Sequence, residues 1–232
     1  MPTQAFPELE KSVFIVTYGR SGSTLLQNML NSLPGYLIRG ENENLLAPLA
    51  RAWDTVARSD QARKIRAEGR TTTPQHPWFG YETVCENDLG KALARSFIET
   101  VLRPTDTTRV IGFKEVRWHA DPALFPVMLG FLQRFFPEAR FVFNIRDHSE
   151  VVRSGWWKHM NEDLVRRQLT QAEKLYAGFA EKYPEQCITL SYNDSITATD
   201  AWRPLFRFLN QPFDAKKVAH VLNNKLTHLK NV

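Results

Sequence analysis

The sequence predicts an α/β fold of three layers, in which a central parallel sheet is flanked by helices. Several short apolar runs are continuous rather than alternating, which is typical of strands buried on both faces. Helical patterns lie between these runs, as the right-handed crossovers of a parallel sheet require. The chain has 232 residues, of which 43% are hydrophobic and 24% charged. This composition suits a folded domain with one core rather than a disordered chain.

The predicted strands are short and apolar. Four runs have the character of buried strands, and a shorter run after the first predicted helix is a candidate for a fifth. In chain order the five are Val13–Thr17, Tyr36–Ile38, Val110–Phe113, Arg140–Ile145 and Cys187–Leu190.

Helical patterns occupy the segments between these strands. Ser23–Leu33 carries its apolar side chains at helical spacing. Asp121 followed by Pro122 is typical of an N-cap and a first helical position, and we expect a helix from there to about Phe136. Two more helices are predicted at Val151–Trp157 and Leu164–Lys182.

The segment 45–108 is too long for a single crossover connection and predicts an insertion over the top of the sheet. Ala47–Glu68 and Asn87–Leu102 have helical patterns, and the loop Gly69–Tyr81 between them is rich in proline and aromatic residues. Such a loop can line a substrate cleft or pack locally, and the sequence leaves both open. We expect one domain over 1–232, in which 45–108 contributes to the substrate site.

Charge, cysteine content and hydropathy exclude several classes of protein. The net charge of +5 allows a polyanionic partner without identifying it. Cys85 and Cys187 are distant in sequence and form no CxxC motif, so a disulfide scaffold or four-cysteine zinc site is not expected. No apolar run approaches the ~20 residues that span a bilayer, and the N-terminus lacks the pattern of a signal peptide. We expect a cytoplasmic protein without a membrane span.

The turn after the first predicted strand is the sharpest motif. A strand, a glycine-containing turn and a helix direct several backbone N–H groups and the positive end of the helix at one point, where an anion is stabilised. Gly19 and Gly22 allow a close approach of the backbone. Arg20, Ser23 and Thr24 add a positive charge and two hydroxyl donors. The Gly-Lys pair of a Walker A loop is absent, which disfavours ATP or GTP hydrolysis. A plain strand–helix turn remains the alternative.

This turn resembles the 5′-phosphosulfate loop of sulfotransferases that use 3′-phosphoadenosine 5′-phosphosulfate (PAPS). The matching residues are Tyr18, Gly19, Arg20, Ser21, Gly22, Ser23 and Thr24. The arginine form is similar to that of carbohydrate and tyrosylprotein sulfotransferases and of many bacterial members. The resemblance implies a P-loop-like fold, binding of the phosphosulfate by these residues, a catalytic role for Arg20, and transfer of a sulfuryl group to a hydroxyl acceptor.

A second motif follows the predicted strand Arg140–Ile145. Arg146 stands at its end and Ser154 eight residues later, close enough to hold one phosphate together. By itself this pair is a weak signal, but its place resembles the 3′-phosphate element of the same family. That resemblance implies that Arg146 and Ser154 bind the 3′-phosphate of PAPS. Tyr192, after the last predicted strand, is similar to a tyrosine near the adenine, or is simply a tyrosine at a strand end.

A general base is needed to accept the proton of a hydroxyl acceptor. Glu41 directly follows Gly40 and resembles the catalytic glutamate of tyrosylprotein and several bacterial sulfotransferases. Glu43 is the reserve candidate and His119 the rival, while two solvated surface carboxylates remain the alternative. Lys114 resembles a lysine that steadies the sulfuryl group, or it pairs with a nearby carboxylate. Arg117 is a further candidate contact for acceptor or phosphate.

The acceptor and the rival functions stay open at this stage. A carbohydrate, a lipid or another small hydroxyl compound fits the pattern, with Trp156 and Trp157 as further candidates for its cleft. The Arg-Lys-Gly segment of the cytosolic aryl enzymes is absent from the sequence, which argues against that subgroup. The alternatives are a small nucleotide-dependent kinase and a non-catalytic nucleotide- or polyanion-binding module. We expect no bound metal and no nucleic-acid partner, and the sequence does not indicate an oligomeric state.

Overall fold

Five parallel strands form one sheet in the computed structural model, which describes residues 8–69 and 71–224. The strand order is β2-β3-β1-β4-β5, and every neighbouring pair is parallel. The strands are β1 (Lys11–Thr17), β2 (Tyr36–Arg39), β3 (Val110–Glu115), β4 (Ala139–Ile145) and β5 (Cys187–Ser191). Each predicted strand is present and is one or two residues longer than predicted. Together with the flanking helices they confirm the predicted α/β fold.

The described helices cover both faces of this sheet. No helix among residues 8–69 and 71–224 is long and apolar enough to cross a membrane. In chain order they are α1 (Ser23–Asn31), α2 (Leu46–Ala57), α3 (Asp60–Ala67), α4 (Glu86–Phe97), α5 (Phe125–Phe135), α6 (His148–Val151), α7 (Glu162–Lys182), α8 (Tyr192–Ser195), α9 (Arg203–Phe208) and α10 (Ala215–Asn223).

Two helices in the insertion differ from the prediction. The expected helix Ala47–Glu68 is two helices, because Ser59 leaves the helical conformation and its side chain caps α3 by accepting from the Ala62 N–H. The expected helix Asn87–Leu102 closes with a π-helical turn over Ile98–Leu102.

Two helices after β3 also differ. The helix predicted from Asp121 begins at Phe125, and the Asp121 carboxylate accepts the Leu124 N–H in the turn before it. The helix predicted at Val151–Trp157 is wrong: α6 ends at Val151, and Gly155, with a φ of 57°, starts a separate 3₁₀ turn. Ser154 lies between these two short elements.

The core has a layer on each face of the sheet, and β1 contributes to both. Val13 and Ile15 face the layer that includes Met29 of α1, while Phe14 and Val16 face the opposite layer. These four residues of β1 are fully buried. Burial on both faces explains why this strand is a continuous apolar run in the sequence.

The order of the strands determines where a ligand can bind. Because all five strands are parallel, the segments that follow them meet at one edge of the sheet. The chain moves from β1 outward to β2, returns through β3, and then crosses to β4 on the other side of β1. Such a change in strand order leaves a crevice beside the carboxyl end of the central strand.

The close packing of β1 against β3 leaves no room for a side chain at Gly112 of β3. A Cβ atom at this position would overlap the carbonyl oxygen of Val13, so we expect Gly112→Ala to lower the free energy of unfolding by about 1–3 kcal/mol. Gly178 of α7 is the matched control, since a Cβ there meets nothing within 4 Å. Gly178→Ala should raise stability by up to about 1 kcal/mol. Urea denaturation measures both, and an unchanged midpoint for Gly112→Ala would contradict this packing.

Candidate active site

The loop between β1 and α1 is held from below by buried polar contacts. The Thr17 hydroxyl donates to the carbonyl of Asn144 at 2.6 Å and lies 2.7 Å from the Ser21 hydroxyl. The Asn144 amide donates in turn to the carbonyl of Ser21 at 2.8 Å. Ser21 is fully buried, and the contact of its hydroxyl with Thr17 stabilises the loop from beneath.

Backbone conformation and a side-chain bond shape the upper part of the same loop. Arg20 and Gly22 have φ angles of 68° and 80°, which lie in the left-handed region. The Trp157 ring N–H donates to the carbonyl of Gly19 at 2.9 Å. The N–H groups of Ser23 and Thr24 begin α1 and thus have no acceptor within the helix. These N–H groups remain available to an anion.

Two aromatic rings pack directly on the glycines of this loop. A Cβ atom on Gly19 would overlap the ring of Trp156, and a Cβ atom on Gly22 would overlap the ring of Tyr192. The sequence predicted only that both glycines let the backbone approach a ligand closely. They also admit the rings that form two walls of the site.

A cavity of about 240 Å³ opens above the loop, at the crevice beside β1. Tyr18, Ser21 and Ser154 do not line it. Nine of the predicted site residues do: Gly19, Arg20, Gly22, Ser23, Thr24, Glu41, Lys114, Arg146 and Tyr192. We call this space the donor cavity, after the ligand that the sequence resemblance predicts for it.

Arg146 and Ser154 are connected through Arg20 rather than facing each other directly. The Arg146 guanidinium donates to the carbonyl of Arg20 at 3.1 Å, and Arg20 Nε donates to the Ser154 hydroxyl at 3.0 Å. The remaining Arg146 nitrogens bind the carboxylate of Glu150 at 2.6 and 2.8 Å. The Arg146 guanidinium also lies 4.6 Å from the centre of the Tyr192 ring. Neither Glu150 nor the Arg20–Ser154 bond was predicted.

Tyr18 lies beneath the donor cavity and binds two elements that flank it. Its ring is fully buried, and its hydroxyl accepts the Arg146 N–H at 2.8 Å and donates to the Glu173 carboxylate at 2.7 Å. Burial raises the pKa of Tyr18, so this hydroxyl stays protonated. The same Glu173 oxygen lies 3.0 Å from His148 Nε2. Tyr18 thus fixes the start of the Arg146 segment against α7.

Glu41 lies among cations at the rim of the donor cavity. Lys114 Nζ is 3.1 Å from one carboxylate oxygen of Glu41, and Arg117 is 3.5 Å from the other. Arg117 also bonds to Glu43 at 2.9 Å. The Glu43 side chain is 87% exposed, against 37% for Glu41. Of the two carboxylates only Glu41 lines the cavity.

The loop that carries Glu41 is anchored by Glu115, which sequence reasoning did not single out. The Glu115 side chain is fully buried, and its two oxygens accept the N–H groups of Val116 at 2.9 Å and Asn44 at 3.1 Å. Arg117 Nε lies 3.3 Å from Glu115 and neutralises it. The sequence did contain a signal for this role, namely an acidic residue at the end of a buried strand.

A larger cavity of about 700 Å³ adjoins the first. The two share Gly19, Glu41, Val116 and Trp156. We call it the acceptor cavity, after the hydroxyl compound that the sequence resemblance predicts as the second substrate. Its remaining lining comes from 117–122 and 157–171, namely Arg117, His119, Ala120, Pro122, Trp157, Met160, Gln168 and Gln171.

None of the described residues of the insertion, 45–69 and 71–108, lines either cavity. Trp78 and Phe79 of its aromatic loop are 45% and 58% exposed, and Trp78 packs against Tyr81 at 5.2 Å between ring centres. The described loop therefore shows local packing, and its predicted share in the substrate site stays a prediction.

His119 lines the acceptor cavity but not the donor cavity. Burial lowers its pKa, although a hydrogen bond to the backbone of Thr17 acts in the opposite direction. Among residues 8–69 and 71–224, no group of three or more histidine, cysteine or acidic side chains is placed to hold a metal ion.

Comparisons with known proteins agree with this architecture. The sulfotransferase domain of the olefin synthase of Synechococcus PCC 7002 has a TM-score of 0.55 at 18% identity, over 95% of this chain and 80% of that one. The sulfotransferase domain from the curacin biosynthetic pathway has a TM-score of 0.52 at 15% identity, over 94% and 79%. At these identities the likeness concerns the fold.

Sequence comparison gives the family. Protein-tyrosine sulfotransferase 1 of Danio rerio is 23% identical over 218 residues, which are 90% of this chain and 55% of that protein. The chain thus spans about half the length of this curated relative. The model of the sulfotransferase family matches residues 12–215, a range that contains the five-stranded sheet from Ser12 onward and both cavities. The chain therefore belongs to the sulfotransferase family.

Proposed function

We propose that the chain transfers a sulfuryl group from PAPS to a hydroxyl group of an acceptor, with Glu41 as the general base. Family membership accounts for sulfuryl transfer in general, and the donor, acceptor and base are specific to this proposal. The observation that carries it is the position of Glu41. Its carboxylate lies at the junction of the donor and acceptor cavities, where a proton must leave the acceptor.

The donor cavity has groups that suit a ligand with anions at both ends. The free N–H groups of Ser23 and Thr24, together with Arg20, suit the 5′-phosphosulfate. Arg146 is the cation for the 3′-phosphate, and the Tyr192 ring beside it offers a flat surface for the adenine. PAPS would supply the sulfuryl group and a leaving group, adenosine 3′,5′-bisphosphate.

Arg146 must exchange partners when it binds a phosphate. Two of its nitrogens are bound to Glu150, and a phosphate oxygen would replace that carboxylate. Ser154 stays a predicted contact of the same phosphate. In the structure its hydroxyl accepts a hydrogen bond from Arg20 Nε at 3.0 Å. A charge-assisted hydrogen bond of this kind contributes about 1.5–3 kcal/mol.

The proposed reaction uses two neighbouring groups, the Glu41 carboxylate and the Lys114 ammonium, which lie 3.1 Å apart. The acceptor hydroxyl enters from the acceptor cavity and gives its proton to Glu41. Its oxygen forms a bond to sulfur while the bond between sulfur and the 5′-phosphate oxygen breaks. Lys114 stabilises the charge that develops on the transferring group, and the products are a sulfate ester and adenosine 3′,5′-bisphosphate.

Geometry favours Glu41 over its two rivals. Glu43 points to solvent and binds Arg117, and His119 lies away from the donor cavity. Arg117 contacts the carboxylates of Glu41, Glu43 and Glu115, so we assign it a positioning role for Glu41.

Adenosine 3′,5′-bisphosphate should stabilise the protein against heat. At a hundred times its dissociation constant it adds about 2.7 kcal/mol, which corresponds to a rise in Tm of roughly 5–10 °C for a chain of this size. Differential scanning fluorimetry compares it with ATP at equal concentration. A shift with ATP alone would overturn PAPS as the donor.

Arg146→Ala should weaken the binding of adenosine 3′,5′-bisphosphate by about 10- to 100-fold, because the cation for the 3′-phosphate is lost. Arg153→Ala is the matched control, since this exposed arginine is seven residues away and does not line the donor cavity. Isothermal titration calorimetry measures both affinities. Equal losses in the two variants would argue against a specific role for Arg146.

Glu41→Gln should lower kcat by about 10²–10⁴-fold, since the general base is removed. Binding of adenosine 3′,5′-bisphosphate should persist, because Lys114 and Arg117 keep their charges. Glu43→Gln, two residues away and exposed, should keep most of the activity. Turnover is measured as formation of adenosine 3′,5′-bisphosphate from PAPS. Near-normal kcat in Glu41→Gln would remove Glu41 from this role.

A further inference from the structure

A second groove continues from the acceptor cavity along α7. It has a volume of about 340 Å³ and lies between α5 and α7. Pro122 lines both spaces, so the groove begins where the acceptor cavity ends. The proposed function uses only the near end of this continuous surface.

One face of α7 borders both spaces. Gln168 and Gln171 line the acceptor cavity, whereas Lys174, Gly178 and Lys182 line the groove. Steps of three and four residues place all five on one side of a helix. From Gln168 to Lys182 this face is about 21 Å long at 1.5 Å per residue, so it matches an elongated ligand.

The floor of the groove is apolar and open. Phe125 and Phe179 are buried beneath it, with Leu175 and Tyr183 at its sides. Gly130 of α5 lies across from α7 and, like Gly178, would meet nothing within 4 Å if it carried a Cβ atom. At these two positions no side chain projects into the groove, so its surface there is open.

The two helices that form the walls offer little to a peptide backbone. Within α5 and α7 the N–H and C=O groups bind each other, and no strand edge is available for main-chain pairing. An aliphatic chain needs no such partners and gains from the burial of its apolar surface.

The groove is positively charged. Lys182 lies at its far end and Lys174 nearer the acceptor cavity, and the described lining contains no acidic residue. In the described part of the chain neither lysine forms an ion pair with a carboxylate, and the Lys182 ammonium lies 5.2 Å from the centre of the Tyr183 ring. These cations complement an anionic group.

We propose that the acceptor is an elongated amphiphile. Its hydroxyl group lies at Glu41, its unbranched apolar chain follows α7 into the groove, and an anionic group at its other end lies in the part of the groove that Lys174 and Lys182 line. This inference rests on the proposed function, because the acceptor cavity must hold the reacting hydroxyl.

The probe is ω-hydroxypalmitic acid, which carries a hydroxyl group and a carboxylate at opposite ends of one chain. In the presence of adenosine 3′,5′-bisphosphate, calorimetry should show saturable binding of one molecule per chain. The methyl ester of the probe should bind about tenfold more weakly, because it lacks the charge that the lysines complement. Absence of binding, or equal affinity for acid and ester, would overturn the proposal.

Two variants locate the probe on the protein. Gly178→Phe fills the groove at an exposed helical position and should weaken binding of the probe at least about tenfold. The double variant Lys174→Gln, Lys182→Gln should reduce the affinity for the acid to that for the ester. The control double variant Lys64→Gln, Lys216→Gln removes the same charge from exposed positions elsewhere. Loss of binding in the control, or none in Gly178→Phe, would overturn the proposal.

The two proposals fail in different ways. Adenosine 3′,5′-bisphosphate should stabilise the wild type and Gly178→Phe equally, because Gly178 lies outside the donor cavity. If this nucleotide binds and the probe does not, only the elongated acceptor is rejected. If the probe binds the groove and the nucleotide does not bind, the proposed donor is rejected. Binding of an extended acidic peptide in place of the probe, lost in Gly178→Phe, would overturn the amphiphile in favour of a peptide.

Discussion

The central position of β1 in a fully parallel sheet governs where every group of the site can lie. Parallel alignment brings the segments after β1, β2, β3, β4 and β5 to one edge, and the change in strand order opens a crevice beside β1. Groups that are more than a hundred residues apart in sequence, such as Arg20 and Ser154, come within 3.0 Å there. Buried polar contacts from Thr17 and Asn144 keep the loop after β1 in place.

The cations of the donor cavity already have partners within the protein. Arg146 binds Glu150, Lys114 binds Glu41, and Arg20 binds the Ser154 hydroxyl. Each pair limits the cost of holding a positive charge in a partly buried cavity. An anionic ligand must therefore displace the existing partners of these cations. This requirement favours a ligand whose anionic groups match the positions of the three cations over a general polyanion.

Glu41 and Trp156 connect the two cavities in different ways. The carboxylate of Glu41 is accessible from both, and its loop is anchored by the buried Glu115 through the Asn44 N–H. The ring of Trp156 lies on Gly19 and forms part of the wall between the cavities. One therefore supplies the polar group and the other the apolar surface at the place where the reactants would meet.

Local sequence patterns were enough to predict the five strands and the glycine-containing turn after β1. Burial on both faces makes a strand a continuous apolar run, and the turn shows as glycines between a strand and a helix. The helices were less certain where one residue changed the backbone, as Ser59 and Gly155 did. Which side chains meet emerges only from the folded chain: Glu150 with Arg146, Glu115 with the Glu41 loop, and α7 with the acceptor cavity. Such contacts join segments distant in the chain, so they depend on strand order and helix packing, which local spacing does not specify.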